Sequence, residues 1–357
     1  MPRLETRIGR LWLKNPVIAA AGEHMIETSG IASAILAGAG AVVGKSTNES
    51  PQAKDQLARA QYVALGPDWQ PVPWGHDAPK ATILTRSGLS PLAFDDWLEQ
   101  AVRMDALARR HDCLFVPSLI LSDMDHALSM ARQIEAAGLR VLEFNIGTPY
   151  ASEAGKGVVA TELSADRVGL LTAAMGGELT IPLWVKITGQ SEHVPDLAAA
   201  AFANGAESVV MAGRSLGMLP DLDTMAPLLG TSCGVGGFWN LPLTCHWLAS
   251  TRAALGPDPA LIGINGATTG ADIARMLLAG ASAVGLTSEV MLRGWGVISQ
   301  AVADLDAYCA AKGLTVADLI GRAADARKTF AQMPPLNDEW RHFIPAPLPG
   351  AVQEALP

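Results

Sequence analysis

The chain has 357 residues, of which 49% are hydrophobic, 17% charged and only 5% aromatic. That length supports a large buried core, built as one α/β barrel or two smaller domains, and the composition excludes a disordered chain. With 26 basic against 35 acidic residues the net charge is −9, which disfavours nucleic acid, a partner that needs a basic face.

Four scattered cysteines, Cys113, Cys233, Cys245 and Cys309, contain no CxxC pair, so zinc and iron–sulfur spacings are absent and no metal site is expected. The N-terminus MPRLETRIGRLW lacks the apolar core of a signal peptide. No uninterrupted apolar run reaches the roughly 18 residues of a membrane span. These features predict a soluble cytoplasmic enzyme.

In chain order one pattern recurs: a helical stretch, a small-residue turn with glycine, then a short apolar strand. It reads LAGAGAVVG at 36–44, AAGLRVLEF at 136–144, ANGAESVVM at 203–211 and LAGASAVGL at 278–286. Glycine ends a helix cheaply because it accepts positive φ, and continuous apolar runs suit parallel strands buried on both faces. Further strands are predicted at 17–21, 115–120, 183–188 and 261–265, with helices at 93–109, 125–137, 196–204 and 270–279. Eight βα units predict a single-domain TIM (β/α)8 barrel over residues 1–320. A doubly wound sheet is the alternative, without a GxGxxG after the first strand to support it. The Pro/Trp-rich stretch GPDWQPVPWGHDAPK at 66–80 reads as an insertion between the second and third units. Residues 321–357 read as a helix end and a proline-rich extended tail that wraps over the domain or a neighbouring subunit.

In such a barrel the chemistry lies at the C-terminal strand ends. Those ends carry Ala20-Ala21-Gly22, Lys45-Ser46, Asn145, Lys186, Gly213-Arg214-Ser215, Asn265-Gly266 and Thr287-Ser288. Three cations at an apolar mouth call for an anion there, unless the lysines snorkel outward or pair with acids such as Glu23 or Glu153. Gly266 and Ser288 after the last two strands suit a phosphate cradle, and GVGG at 234–237 lets backbone approach a ligand closely. Glycine turns also simply end strands.

Several motifs in order carry a family resemblance: NPVIAAAGEH (15–24), AGAGAVVGKST (37–47), SGLSPLAFDDWLE (87–99), LEFNIGTP (142–149), PLWVKIT (182–188), GVGGFWNLP (234–242) and IGINGATTGADIARMLLAGASAVGL (262–286). Over about Arg7 to Leu319 the chain resembles the dihydroorotate dehydrogenase family of FMN-containing barrels, and its class 1 branch more than class 2. The resemblance implies that FMN is held by Ala21, Gly22, Lys45, Ser46, Asn145, Lys186, Ser215, Gly236, Gly237, Asn265, Gly266, Thr287 and Ser288. Lys186 would place positive charge where reduction builds negative charge. Two departures are Asn265-Gly266 where the family has paired glycines, and Thr287-Ser288 where it has Gly-Thr.

On the substrate side the resemblance implies Lys45, Thr85, Gly88, Leu89, Asn145, Tyr150 and Arg214, with Thr148, Lys45 and Asn145 as the catalytic residues. Only Asn145 keeps a family asparagine; Thr85, Tyr150 and Arg214 stand at the others. Losing partners that read a buried polar ring weakens orotate selectivity, and Arg214 beside Lys45 builds a site for a carboxylate, sulfonate or phosphate unless it folds onto the cofactor phosphate or Asp221. Thr148 matches the family's base and needs a basic neighbour or water chain to relay a proton, unless it is an ordinary turn hydroxyl. Glu153, Lys156 and Tyr150 share its loop.

The leading expectation is an FMN oxidoreductase acting on a CH–CH or C=C bond of a small anionic substrate, with hydride passing to flavin N5. Narrower is a genuine dihydroorotate dehydrogenase of pyrimidine metabolism. Two readings from other classes are a flavin-free aldolase with Lys186 as Schiff base and a silent ligand-binding paralogue. By analogy the family implies a homodimer and allows a separate electron-transfer subunit.

Overall fold

The computed structural model describes residues 2–147, 164–211, 213 and 215–349. The chain divides into two compact units, 1–325 and 326–357. The first contains a nine-stranded parallel sheet, two antiparallel strands at the N-terminus and a four-stranded antiparallel sheet. In chain order the strands are β1 (Thr6–Ile8), β2 (Leu11–Leu13), β3 (Val17–Ala19), β4 (Ala41–Val43), β5 (Gln61–Leu65), β6 (Thr82–Arg86), β7 (Leu114–Val116), β8 (Ser118–Ile120), β9 (Leu142–Asn145), β10 (Leu183–Lys186), β11 (Ser208–Met211), β12 (Ser215–Gly217), β13 (Cys233–Gly237), β14 (Ala260–Ile264) and β15 (Ala281–Leu286).

The large sheet runs β7-β4-β3-β15-β14-β11-β10-β9-β8. Its two end strands are consecutive in the chain, separated only by Pro117. Proline has no N–H to give to a ladder, but the Pro117 carbonyl still accepts from Glu143 N–H at 2.9 Å. Beyond it, Thr47 bridges Leu119 and carries the β4 side onto β8. The sheet therefore closes on itself as the predicted eight-stranded (β/α)8 barrel, with the third strand interrupted once. Each of the four recurrent turns ends its helix at a positive-φ glycine, Gly38, Gly138, Gly205 and Gly280, as the pattern requires.

Period-two alternation sorts the strand residues. Ile18, Ala41, Val43, Leu114, Val116, Trp184, Val210, Ile262 and Ala283 form one buried cluster with Ile8 and Leu13 of the N-terminal hairpin. Val17, Val42, Phe115, Phe144, Val185 and Val209 belong to the larger cluster shared with the surrounding helices. Two residues beyond Val43 is Lys45, and two beyond Trp184 is Lys186. The same alternation that fills the barrel thus delivers both lysines to its upper end.

The 66–80 stretch does leave the barrel, but its flanks form a structure absent from the sequence reading. β5 and β6 make a hairpin around it, and β13 with β12 extends that hairpin in the order β12-β13-β6-β5. GVGG is therefore largely strand rather than a glycine loop. The first unit runs on to Asp325, which the Arg252 guanidinium grips through two bonds of 2.7 and 2.8 Å. In the second unit the described residues form two 3₁₀ turns, Phe330–Gln332 and Glu339–Phe343, and are exposed. Among the described residues no helix is long and apolar enough to cross a membrane.

Candidate active site

A cavity enclosing about 1180 Å³, counting its open mouth, is lined by the barrel's strand ends and by the antiparallel sheet. The strand ends contribute Ala21, Gly22, Glu23, Lys45, Ser46, Asn145, Lys186, Asn265, Gly266, Thr287 and Ser288. The β5–β6 hairpin and the segment after it contribute Tyr62, Thr85, Gly88 and Leu89, and β13 contributes Gly236. Most of the residues singled out in the sequence thus share one cavity. Ser215 and Gly237 do not line it. Thr148, Tyr150 and Arg214 lie outside the described residues, as do Glu153 and Lys156.

The β14/β15 side is built from backbone and small side chains. Gly266 sits at φ +110°, and a Cβ there would come within 2.4 Å of the Leu241 nitrogen, so only glycine lets this loop pass the start of helix Leu241–Leu255. Asn265, at φ +71°, is a non-glycine residue in left-handed backbone, a conformation Asn tolerates better than most residues. Its carboxamide accepts from Gly237 N–H and donates to the Gly213 carbonyl, each at 3.3 Å. A Cβ on Gly236 would lie 2.9 Å from that carboxamide oxygen. Gly236 therefore makes room for Asn265, and it also lines the cavity.

The β3/β4 side is built from ionised side chains. Lys45 does not wait there for an external anion. Its Nζ lies 3.2 Å from Glu23 Oε1, which also accepts from Gly88 N–H at 2.9 Å, while the Tyr62 hydroxyl donates to Glu23 Oε2. Burial pushes the Glu23 carboxyl up, but the Lys45 charge and the Tyr62 and Gly88 hydrogen bonds outweigh it and hold the group below the ordinary carboxylate value. Beside it, burial and the Lys45 charge push the His24 imidazole down to about 4. Its two ring nitrogens are buried and have no hydrogen-bond partner among the described residues.

Lys186 stands 3.9 Å from Glu143, a carboxylate buried in the barrel two residues before Asn145. Glu143 accepts from Ser118 Oγ at 2.8 Å, and Ser118 Oγ is 2.8 Å from Ser46 Oγ. Because the Ser118 proton goes to Glu143, Ser46 must donate to Ser118. The chain Ser46–Ser118–Glu143–Lys186 ties the lysine to the barrel and commits the Ser46 proton, while Ser46 itself lines the cavity. Sequence reasoning weighed Glu23 only as a partner for a lysine and passed over Tyr62, His24 and Glu143. For Glu143 the signal was available, since it shares the inward face with Asn145 by strand alternation. Among the described residues no cluster of three His, Cys, Asp or Glu side chains could hold a metal ion.

The family model for dihydroorotate dehydrogenase matches residues 3–308. The catalytic subunit of dihydroorotate dehydrogenase B (NAD(+)) from Methanocaldococcus jannaschii is 24% identical, over 90% of this chain and 98% of that protein. The corresponding subunit from Methanosarcina mazei is 26% identical over 85% and 89%, and dihydroorotate dehydrogenase A (fumarate) from Lactobacillus delbrueckii subsp. bulgaricus is 27% identical over 60% and 70%. A closed barrel, a large cavity at its strand ends and a match over most of the length agree: the chain belongs to the dihydroorotate dehydrogenase family.

Proposed function

We propose that the chain is an FMN-dependent oxidoreductase acting on a CH–CH or C=C bond of a small organic substrate. The observation that carries this is the cavity's division into a neutral, backbone-lined side at β14/β15 and a floor where Lys186 and Asn145 stand together, paired across β9 and β10. Glu23 is the one acid among the described lining residues, and Lys45, Gly88 and Tyr62 already hold it. When bound, FMN supplies the hydride acceptor. Ala21, Gly22 and the β14/β15 residues hold it, Lys186 stabilises negative charge gathering on the ring, and Asn145 orients the polar ring edges. Thr85, Gly88 and Leu89 bound the substrate side, and Thr148 relays the proton leaving carbon. Membership in the family and the tail's exposed apolar residues support a homodimer.

Purified protein is expected to be yellow, with a flavin absorption band that bleaches under dithionite. Colourless protein that also fails to take up added FMN overturns the proposal and leaves the Schiff-base or ligand-binding readings. Anaerobic bleaching by dihydroorotate would establish the narrower dehydrogenase reading suggested by the relatives' names.

A further inference from the structure

At the β3/β4 side of the cavity a carboxylate is already seated among hydrogen-bond donors, and it belongs to the protein. Glu23 takes the Lys45 ammonium at 3.2 Å, the Gly88 N–H at 2.9 Å and the Tyr62 hydroxyl. Lys45 and Gly88 are two of the groups the family resemblance assigns to the substrate. A backbone N–H and a phenol each have one proton to give, and both are given to Glu23. The Glu23 and Lys45 side chains are only 15% and 9% exposed, so water screens the pair poorly. A substrate carboxylate brought to Lys45 would find the Gly88 and Tyr62 protons already given and a like charge beside it.

We infer that Glu23 is a specificity-determining residue that stands in for a substrate's anionic group, so that the site takes a small ring uncharged on the side facing Lys45. The inference rests on the proposed oxidoreductase reading and narrows its substrate class. It replaces the anion expected at Lys45 with an internal one, and it gives a reason for the strand-end residues Gly22 and Glu23 to line the cavity.

Glu23→Gln removes the charge and keeps one acceptor oxygen for Gly88, while the Tyr62 hydroxyl can turn to accept from the amide NH2. The experiment titrates orotate, and uracil as the same ring without its carboxylate, into wild type, Glu23→Gln and Glu23→Ala by calorimetry, with flavin content and thermal midpoint read on the same samples. Wild type is expected to prefer uracil, and Glu23→Gln to bind orotate at least about tenfold tighter than wild type while its uracil affinity and thermal midpoint hold. Glu23→Ala gives the same gain if Gln misfolds. A mere clasp between hairpin and barrel would instead lower the thermal midpoint and weaken both ligands together. Orotate binding that stays absent or falls in every folded Glu23 variant overturns the inference. Flavin content reports separately on the oxidoreductase reading, because a colourless protein that gains orotate on losing Glu23 sinks only that reading.

Discussion

The two sides of the cavity recognise by different means. At β14/β15 the lining is backbone, glycine and small hydroxyls, held by close packing and by the Asn265 carboxamide. At β3/β4 it is an ion pair, a phenol and one N–H. Backbone donors suit an invariant group such as a cofactor phosphate, because they cannot rotate away. Side chains can be exchanged singly without refolding a loop, so that is where substrate choice can change within one fold.

The sharpest way to break this contrast is Gly266→Ala, which adds a Cβ 2.4 Å from a backbone nitrogen at φ +110°. It should cost about 3 kcal/mol or more and lower the thermal midpoint by about 4 °C or more, with loss of bound FMN. Unchanged flavin content would show that the β14/β15 backbone is not the cofactor's anchor. Next comes Lys186→Met, at the floor between the two sides. Flavin should stay bound while its two-electron midpoint potential falls by about 60 mV, a hundredfold in equilibrium constant, as measured by dye equilibration. An unmoved potential would remove Lys186 from the flavin ring.

His24 gives the smallest effect and ties the sides together, since a Cβ on Gly22 would meet both its ring and Thr287. With its imidazole held at about 4 in the folded chain against an ordinary value of 6.5, the unfolded state binds more protons between those limits. Stability therefore falls as pH drops from about 6.5 to 4, by about 3 kcal/mol at full effect. His24→Gln should flatten that part of the thermal-midpoint profile, and an equal slope in both proteins would refute the assignment.

The barrel was legible because its strands are short apolar runs, four of them launched by a glycine turn, a local signal at 36–44, 136–144, 203–211 and 278–286 alike. The antiparallel sheet was not, because its central pairing joins Thr82 to Gly237 across more than a hundred residues, and CGVGG has almost no strand propensity. In the site, Lys45, Asn145 and Lys186 could be placed from strand ends alone. Glu23 could be weighed as a partner for Lys45, but its hold on Gly88 and Tyr62 depends on where the β5–β6 hairpin lies, and no local pattern encodes that. Both lysines at the mouth also have carboxylate neighbours, Glu23 and Glu143, that strand ends alone do not pair with them.

The N-terminal hairpin has a consequence for how the chain assembles. Ile8 and Leu13 are buried with the innermost barrel residues, and the Thr6 hydroxyl donates to the Ser282 carbonyl, 276 residues away. During synthesis these residues must wait for β15 before their apolar faces are covered. The most distant ends of the fold are thus fastened together, a non-local contact that belongs late in folding. Barrel completion becomes a checkpoint on a finished chain, and ribosome-stalled chains ending before residue 281 should leave the hairpin open to protease.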